Sequence, residues 1–146
     1  MEPRISLITL GVRDLERSLR FYRDGLGLPT TWDTDKGVIF FQTSGVTLAL
    51  YPLDALRTDA GPAYAETELA TDHIFPGITL AHNVRERAEV DQLVAQAEAA
   101  GATIKKPPQE TFWGGYAAYF TDPDGYLWEI AWGAFHIRED GSLVIP

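Results

Sequence analysis

Two stretches of this chain recur at fixed intervals, and that repeat constrains the fold more than any other feature. Ile8-Thr9-Leu10 with Glu16-Arg17 returns seventy positions later as Ile78-Thr79-Leu80 with Glu86-Arg87. Phe40, Gly45 and Leu50 fall in step, eighty positions apart, with Phe120, Gly125 and Ile130. In that second alignment Ala49 stands opposite Glu129. A chain of 146 residues is one domain by size and long enough for a real core. The repeat therefore predicts two similar modules within one domain, 1–146, and a site with a single unmatched acid.

Each module reads as β-α-β-β-β. In the first, about 5–52, Ile5 to Val12 is a strand: Ile8, Leu10 and Val12 share one face, and Leu7, Thr9 and Gly11 the other. Asp14 is a helix N-cap, since its carboxylate accepts from an orphan N–H of the first turn. Leu15, Leu19, Tyr22 and Leu26 recur at helical spacing, and Gly25, Gly27 and Pro29 end the helix. Three extended runs follow, Thr30 to Asp33, Val38 to Thr43 and Val46 to Tyr51. In the second module, about 76–133, Gly77 to His82 is the strand, and Asn83 with Glu86 resembles a capping box. Val90, Leu93, Val94 and Ala97 form the stripe of a helix that stops at Gly101. Ala102 to Lys105 is extended and Pro107-Pro108 breaks it; Tyr116 to Thr121 and Tyr126 to Trp132 form a hairpin around Asp122-Pro123-Asp124-Gly125. The connection, about 53–75, is long for a plain linker and is expected to carry a short helix; the tail, 134–146, is polar.

Charge and composition exclude several classes of function. A net charge of -9 repels phosphates, which argues against a nucleic-acid partner. The chain has no cysteine, so disulfides, thiolate nucleophiles and zinc–thiolate sites are ruled out. Neither a secretory signal nor an apolar run of membrane-spanning length is present, and the expectation is a soluble, cytoplasmic protein. No P-loop or nucleophile elbow occurs, and Gly114-Gly115 lacks the strand-then-helix setting of a dinucleotide fingerprint.

Two motifs carry a family resemblance. Val12-Arg13-Asp14-Leu15-Glu16-Arg17-Ser18 with Phe21-Tyr22 and Gly25-Leu26-Gly27 resembles the opening of the vicinal oxygen chelate superfamily. Asp122-Pro123-Asp124-Gly125-Tyr126 with Trp128-Glu129-Ile130 looks like its ending. That superfamily includes glyoxalase I, extradiol dioxygenases and the bleomycin resistance proteins. The resemblance implies an α+β fold in which two βαβββ modules form a curved, half-barrel-like mixed sheet around a cavity. It also implies metal-ligand positions on the first and last strand of each module. By the motifs these are Leu7, Ala49, Gly77 and Glu129, and only Glu129 can bind a metal. The expectation is no metal and no cofactor.

Glu129 has two readings: a glutamate satisfied by a tyrosine or tryptophan donor, or a ligand anchor or general base. The histidines, His73, His82 and His136, have no ligand spacing, and His82 shares the parity of Ile78 and Leu80 on the helix side. Strand parity places Leu7, Thr9, Thr47, Ala49, Tyr51, Gly77 and Thr79 on the Glu129 side, and Trp128 and Trp132 on the helix side. Thr111 to Tyr116 is the expected mobile rim, two glycines beside Phe112, Trp113 and Tyr116, with edge packing as the other role of its rings. The predicted function is a metal-free binder of a small organic molecule, cationic or aromatic, anchored by Glu129, in a homodimer. The alternatives are a lyase, isomerase or dioxygenase of the same superfamily, with Glu129 as catalytic base, or a structural dimer without ligand.

Overall fold

Each of the two larger sheets contains a parallel pair of strands, and a parallel pair needs a crossover connection. The structure, a computed structural model, describes residues 1–64, 66, 75 and 77–144. The chain divides into two compact units, Met1–Leu69 and Ala70–Pro146. Both are α+β, with a mixed open sheet. Among the described residues no helix is long and apolar enough to cross a membrane.

In the first unit, β1 (Leu7–Val12) runs parallel to β3 (Thr47–Pro52), and β2 (Ile39–Phe41) is antiparallel to β3, in the order β1-β3-β2. The crossover begins with α1 (Leu15–Leu19). Asp14 caps it as expected, its Oδ1 accepting from the Arg17 N–H at 2.9 Å. The helix then widens into a π-helical segment, Arg20–Gly25, whose exit is marked by Leu26 N–H donating to Phe21 O at 2.9 Å. Buried Leu10, Val12, Leu48, Leu50, Ile39 and Phe41 share one sheet face, and Tyr22 of the crossover meets Phe41 at 5.8 Å between ring centroids. Thr30 to Asp33, expected as a strand, is not one. Thr30 Oγ1 donates to Phe40 O and accepts from Trp32 N–H, and the Asp33 carboxylate accepts from Thr34 N–H. These local side-chain bonds replace ladder bonds.

The connection does carry a helix, α2 (Leu53–Ala60), followed by a short 3₁₀ turn, Pro62–Tyr64. Its remainder up to residue 76, including His73, lies largely or wholly outside the described residues.

In the second unit the order is β4-β7-β6-β5, with β4 (Leu80–Asn83) parallel to β7 (Leu127–Trp132) and β6 (Tyr116–Thr121) antiparallel to both β7 and β5 (Thr103–Glu110). The crossover helix is α3 (Arg87–Ala99), with Val90, Val94 and Ala97 buried. Three boundaries differ from expectation. The capping box sits one turn late: Glu89 Oε2 accepts from the N–H groups of Glu86 and Arg85, while Asn83 ends the strand. Strand β4 starts at Leu80, and Gly77, at φ 76°, lies in a turn before it. Strand β5 runs through Pro107-Pro108, because it is the edge of its sheet and its register shifts around Lys106. A small hairpin, β8 (His136–Ile137) and β9 (Leu143–Val144), follows, and the Arg85 guanidinium donates to Arg138 O at 2.7 Å.

The β6–β7 hairpin turns on Asp122, whose buried Oδ1 accepts from Asp124 N–H and Tyr126 N–H, each at 2.9 Å. Asp122→Ala removes the acceptor of two N–H donors, one buried and one part-buried. It is expected to lower the unfolding free energy in urea by about 2 kcal/mol, with Asp122→Asn losing less.

Candidate functional site

Strand β7 reads Leu-Trp-Glu-Ile-Ala-Trp, and period-two alternation divides it cleanly. Trp128, Ile130 and Trp132 face the α3 side, where the Trp128 ring stacks on Phe120 at 6.5 Å and 7°. Glu129 faces the other way. Cross-strand register then sets one row over all four strands: Lys106 opposite Tyr119, Tyr119 opposite Glu129, Glu129 opposite Ala81. The Tyr119 hydroxyl donates to Glu129 Oε1 at 2.6 Å. The Lys106 ammonium lies 5.6 Å from the centroid of the Tyr119 ring. The next row on this face holds Ala117 and Ala131, both buried, so small side chains flank Glu129.

Burial is the largest cause that pushes the Tyr119 hydroxyl up, to about 12, and the hydrogen bond and charge of Glu129 add to it. At neutral pH Tyr119 thus keeps its proton, and it donates that proton to Glu129. Glu129 Oε2 takes no hydrogen bond among the described residues. The arrangement can hold a cation or a hydrogen-bond donor against one fixed carboxylate oxygen.

The other candidate residues divide. In the first unit, Leu7, Thr9 and Gly11 share a face with Thr47, Ala49 and Tyr51 through the parallel register, as strand parity predicts. Leu7 is 43% exposed and Ala49 is buried. The sequence reading missed that α2 occupies the far end of this face. A Cβ on Gly11 would stand 2.9 Å from Leu53 Cδ1 and 3.1 Å from Leu56 Cδ2. The charge of Asp59 in α2 is the largest cause raising the pKa of the Tyr51 hydroxyl. Gly77 and Thr79 both precede β4, so their place in the strand is corrected.

Tyr116 is also corrected. It pairs with Trp132 in register and so points to the α3 side, opposite to Glu129. Its hydroxyl donates to Asp91 Oδ1 at 3.1 Å, and Arg87 Cζ sits 3.7 Å from its ring centroid. Trp113 is 43% exposed and lies over bare backbone: a Cβ on Gly115 would come within 1.8 Å of its ring, and one on Gly133 within 2.5 Å. Phe135 meets it at 6.0 Å. Gly115 therefore permits a close ring–backbone approach, and of these two glycines it is Gly114, at φ 85°, that uses the left-handed region. The expected loose rim is a bonded turn, with Thr111 N–H donating to Gly115 O and Gly115 N–H to Thr111 Oγ1, both at 2.9 Å. Tyr119 and Lys106 were not singled out from sequence. The turn closes on the Asp122–Tyr126 pair, Asp122 N–H donating to Tyr126 O at 3.0 Å, and counting outward from that pair sets 119 against 129.

The family model for the Glyoxalase/Bleomycin resistance protein/Dioxygenase superfamily matches residues 4–130. The chain belongs to that superfamily. A glyoxalase-related enzyme from Fulvimarina pelagi is similar at 35% identity, with 98% of each chain covered and a TM-score of 0.85. A hypothetical protein from S. aureus is similar at 25% identity, TM-score 0.74, over 91% of this chain and 95% of that one. An uncharacterised protein of Pseudomonas aeruginosa is 26% identical over 144 residues, 91% of each chain. A lactoylglutathione lyase from Agrobacterium tumefaciens, 24% identical with a TM-score of 0.66 over 91% of this chain and 96% of that one, shares the fold.

The positions at which the family resemblance expects metal ligands are Leu7, Ala49, Gly77 and Glu129. Two carry hydrocarbon, one carries no side chain, and one carries a carboxylate. A divalent ion needs several nitrogen or oxygen donors converging on it. Among the described residues no three of His, Cys, Asp or Glu cluster in a way that could hold a metal ion. His82 pairs with Ile130 on the helix-side parity, and His136 lies in β8. The donor set does not fit a metal centre at these positions.

The raised pKa of Tyr119 makes a pH-dependent prediction. A phenol whose folded pKa lies above its unfolded value of about 10 stabilises the fold below that pH. The contribution is lost as pH rises through about 12. Phenolate absorbance is expected to show a tyrosine titrating near 12, and Glu129→Gln to bring it down. It stays above the ordinary value in that variant because burial, the largest cause, remains.

Proposed function

We propose that the protein binds a small planar organic molecule, neutral or cationic, on the Glu129 face of its second unit, without a metal. The observation that carries this reading is the Tyr119–Glu129 hydrogen bond. It fixes one carboxylate oxygen and leaves the other to accept, beside the small side chains of Ala117 and Ala131. A carboxylate held this way attracts ammonium and N–H groups and repels carboxylates and phosphates. The net charge of -9 acts in the same direction at longer range. Sequestration of the molecule, as in the antibiotic-binding branch of the superfamily, is the most concrete form of the reading. The likeness to a glyoxalase-related enzyme favours a second form, in which Glu129 is a general base and the same site turns its ligand over.

A screen read by tryptophan fluorescence tests the reading. Hits are expected to be planar amines and amides. Glu129→Gln is expected to weaken an aromatic amine at least about tenfold, the scale of one lost charge-assisted hydrogen bond. Hits dominated by sugar phosphates or dicarboxylates, unaffected by that substitution, refute the anchor. Near one equivalent of divalent metal in protein purified without chelator, lost in Glu129→Ala, refutes the metal-free form.

A homodimer is part of the proposal. β1 and β4 are edges of their own sheets, and Ile5, Leu7 and Ile78 nearby are exposed apolar residues. Light scattering at micromolar concentration is expected to give twice the chain mass; a monomeric mass overturns it.

A further inference from the structure

Lys106 lies in the same row of the sheet as Tyr119 and Glu129. Its side chain is half-buried, and among the described residues its one partner is the face of Tyr119, at 5.6 Å. That distance is near the outer limit of cation–π contact, about 6 Å, so the ring holds the ammonium only loosely. An ammonium in a chain of net charge -9 has many carboxylates to choose from, yet this one makes no ion pair among the described residues. The nearest acid in its row is Glu129, two strands away, a separation of roughly 10 Å between backbones. Tyr119 stands between them and spends its hydroxyl on Glu129. The row therefore presents a carboxylate, then a phenol ring, then an ammonium, with Ala117 and Ala131 adding no bulk beside it.

We propose that the Lys106–Tyr119–Glu129 row selects a rigid zwitterion: a planar molecule with a cationic or N–H group at one end, against Glu129, and a carboxylate at the other, against Lys106. This rests on the reading of Glu129 as anchor and narrows it from neutral or cationic molecules to net-neutral, bipolar ones. Each pole of such a ligand meets its opposite charge. A simple cation leaves Lys106 unanswered, and a simple anion meets Glu129 across the ring.

Three probes of one size test it by titration calorimetry on the intact protein: 4-(aminomethyl)benzoate, benzylamine and benzoate. The zwitterion is expected to bind at least tenfold more tightly than benzylamine, and benzoate most weakly. In Lys106→Gln that advantage is expected to fall within about twofold, and Lys106→Arg, which keeps the charge, to retain it. Glu129→Gln is expected to weaken the zwitterion and benzylamine together. If benzylamine binds through Glu129 but the zwitterion gains nothing, or its gain survives Lys106→Gln, the inference is wrong and the anchor stands. If benzylamine binding ignores Glu129→Gln, or no probe binds, anchor and inference both fall.

Discussion

The parallel pairing of β1 with β3 and of β4 with β7 decides where everything else goes. β1 can lie beside β3, and β4 beside β7, only if the chain crosses over between them, and a helix makes that crossing. The helix covers one face of its sheet. That face takes the large apolar side chains, Leu10, Leu50 and Phe41 in one unit, Trp128, Ile130 and Phe120 in the other. Alternation then turns the intervening residues to the opposite face. Glu129 lies between two core residues in sequence and yet sits on a face whose immediate neighbours are a tyrosine hydroxyl and alanines. An ionised carboxylate among Trp128, Ile130 and Phe120 would suffer a large desolvation penalty. On the other face it has a donor at 2.6 Å and one oxygen still open.

Much of this was legible from sequence because the deciding interactions are local or periodic. The Asp14 cap needs only three residues of chain, and the alternation of β7 needs only six. The misreadings share a different cause. Thr30 and Asp33 belong to a run with strand-like residues, but their oxygens find backbone partners nearby before a ladder can form. Pro107 and Pro108 break a central strand and are tolerated at an edge, and which strand is the edge depends on the whole sheet. Glu86 and Glu89 compete with Asn83 and Glu86 for the same capping pattern; the strand bond to β7 holds Asn83 out of the helix. Tyr116 was assigned by its nearness in sequence to Trp113, whereas its register with Trp132 determines its face.

The glycines show the same division. Gly101, Gly114 and Gly125 lie at positive φ and mark turns that composition alone announces. Gly11 and Gly115 do not. They are bare because another element comes too close for a Cβ, α2 over Gly11 and the Trp113 ring over Gly115. No local pattern distinguishes the two uses, since the approaching group is distant in sequence for Gly11 and folds back on itself for Gly115. The presence of α2 over Gly11 also brings the charge of Asp59 to bear on Tyr51, so the segment that looked like a connection packs on the first unit's sheet face.

A lone carboxylate at a position where the family resemblance expects a metal ligand invites the question of what an acid does there. Its chemistry with Tyr119 gives an answer in physical terms. Without further donors a carboxylate cannot hold a divalent ion tightly. With that phenol pushed up to about 12, Tyr119 keeps its proton and remains a donor to the Glu129 carboxylate across the neutral range. A fixed acceptor next to a flat ring and a loosely held ammonium discriminates by where charge lies on a molecule, and it needs no ion to do so. On this argument, what distinguishes the site is a spatial order of charge along one row of a sheet. That order depends on the register of β5, β6 and β7 as much as on the identity of Glu129. A one-residue slip of β6 against β7 would carry Tyr119 to the α3 face and leave the carboxylate with no donor.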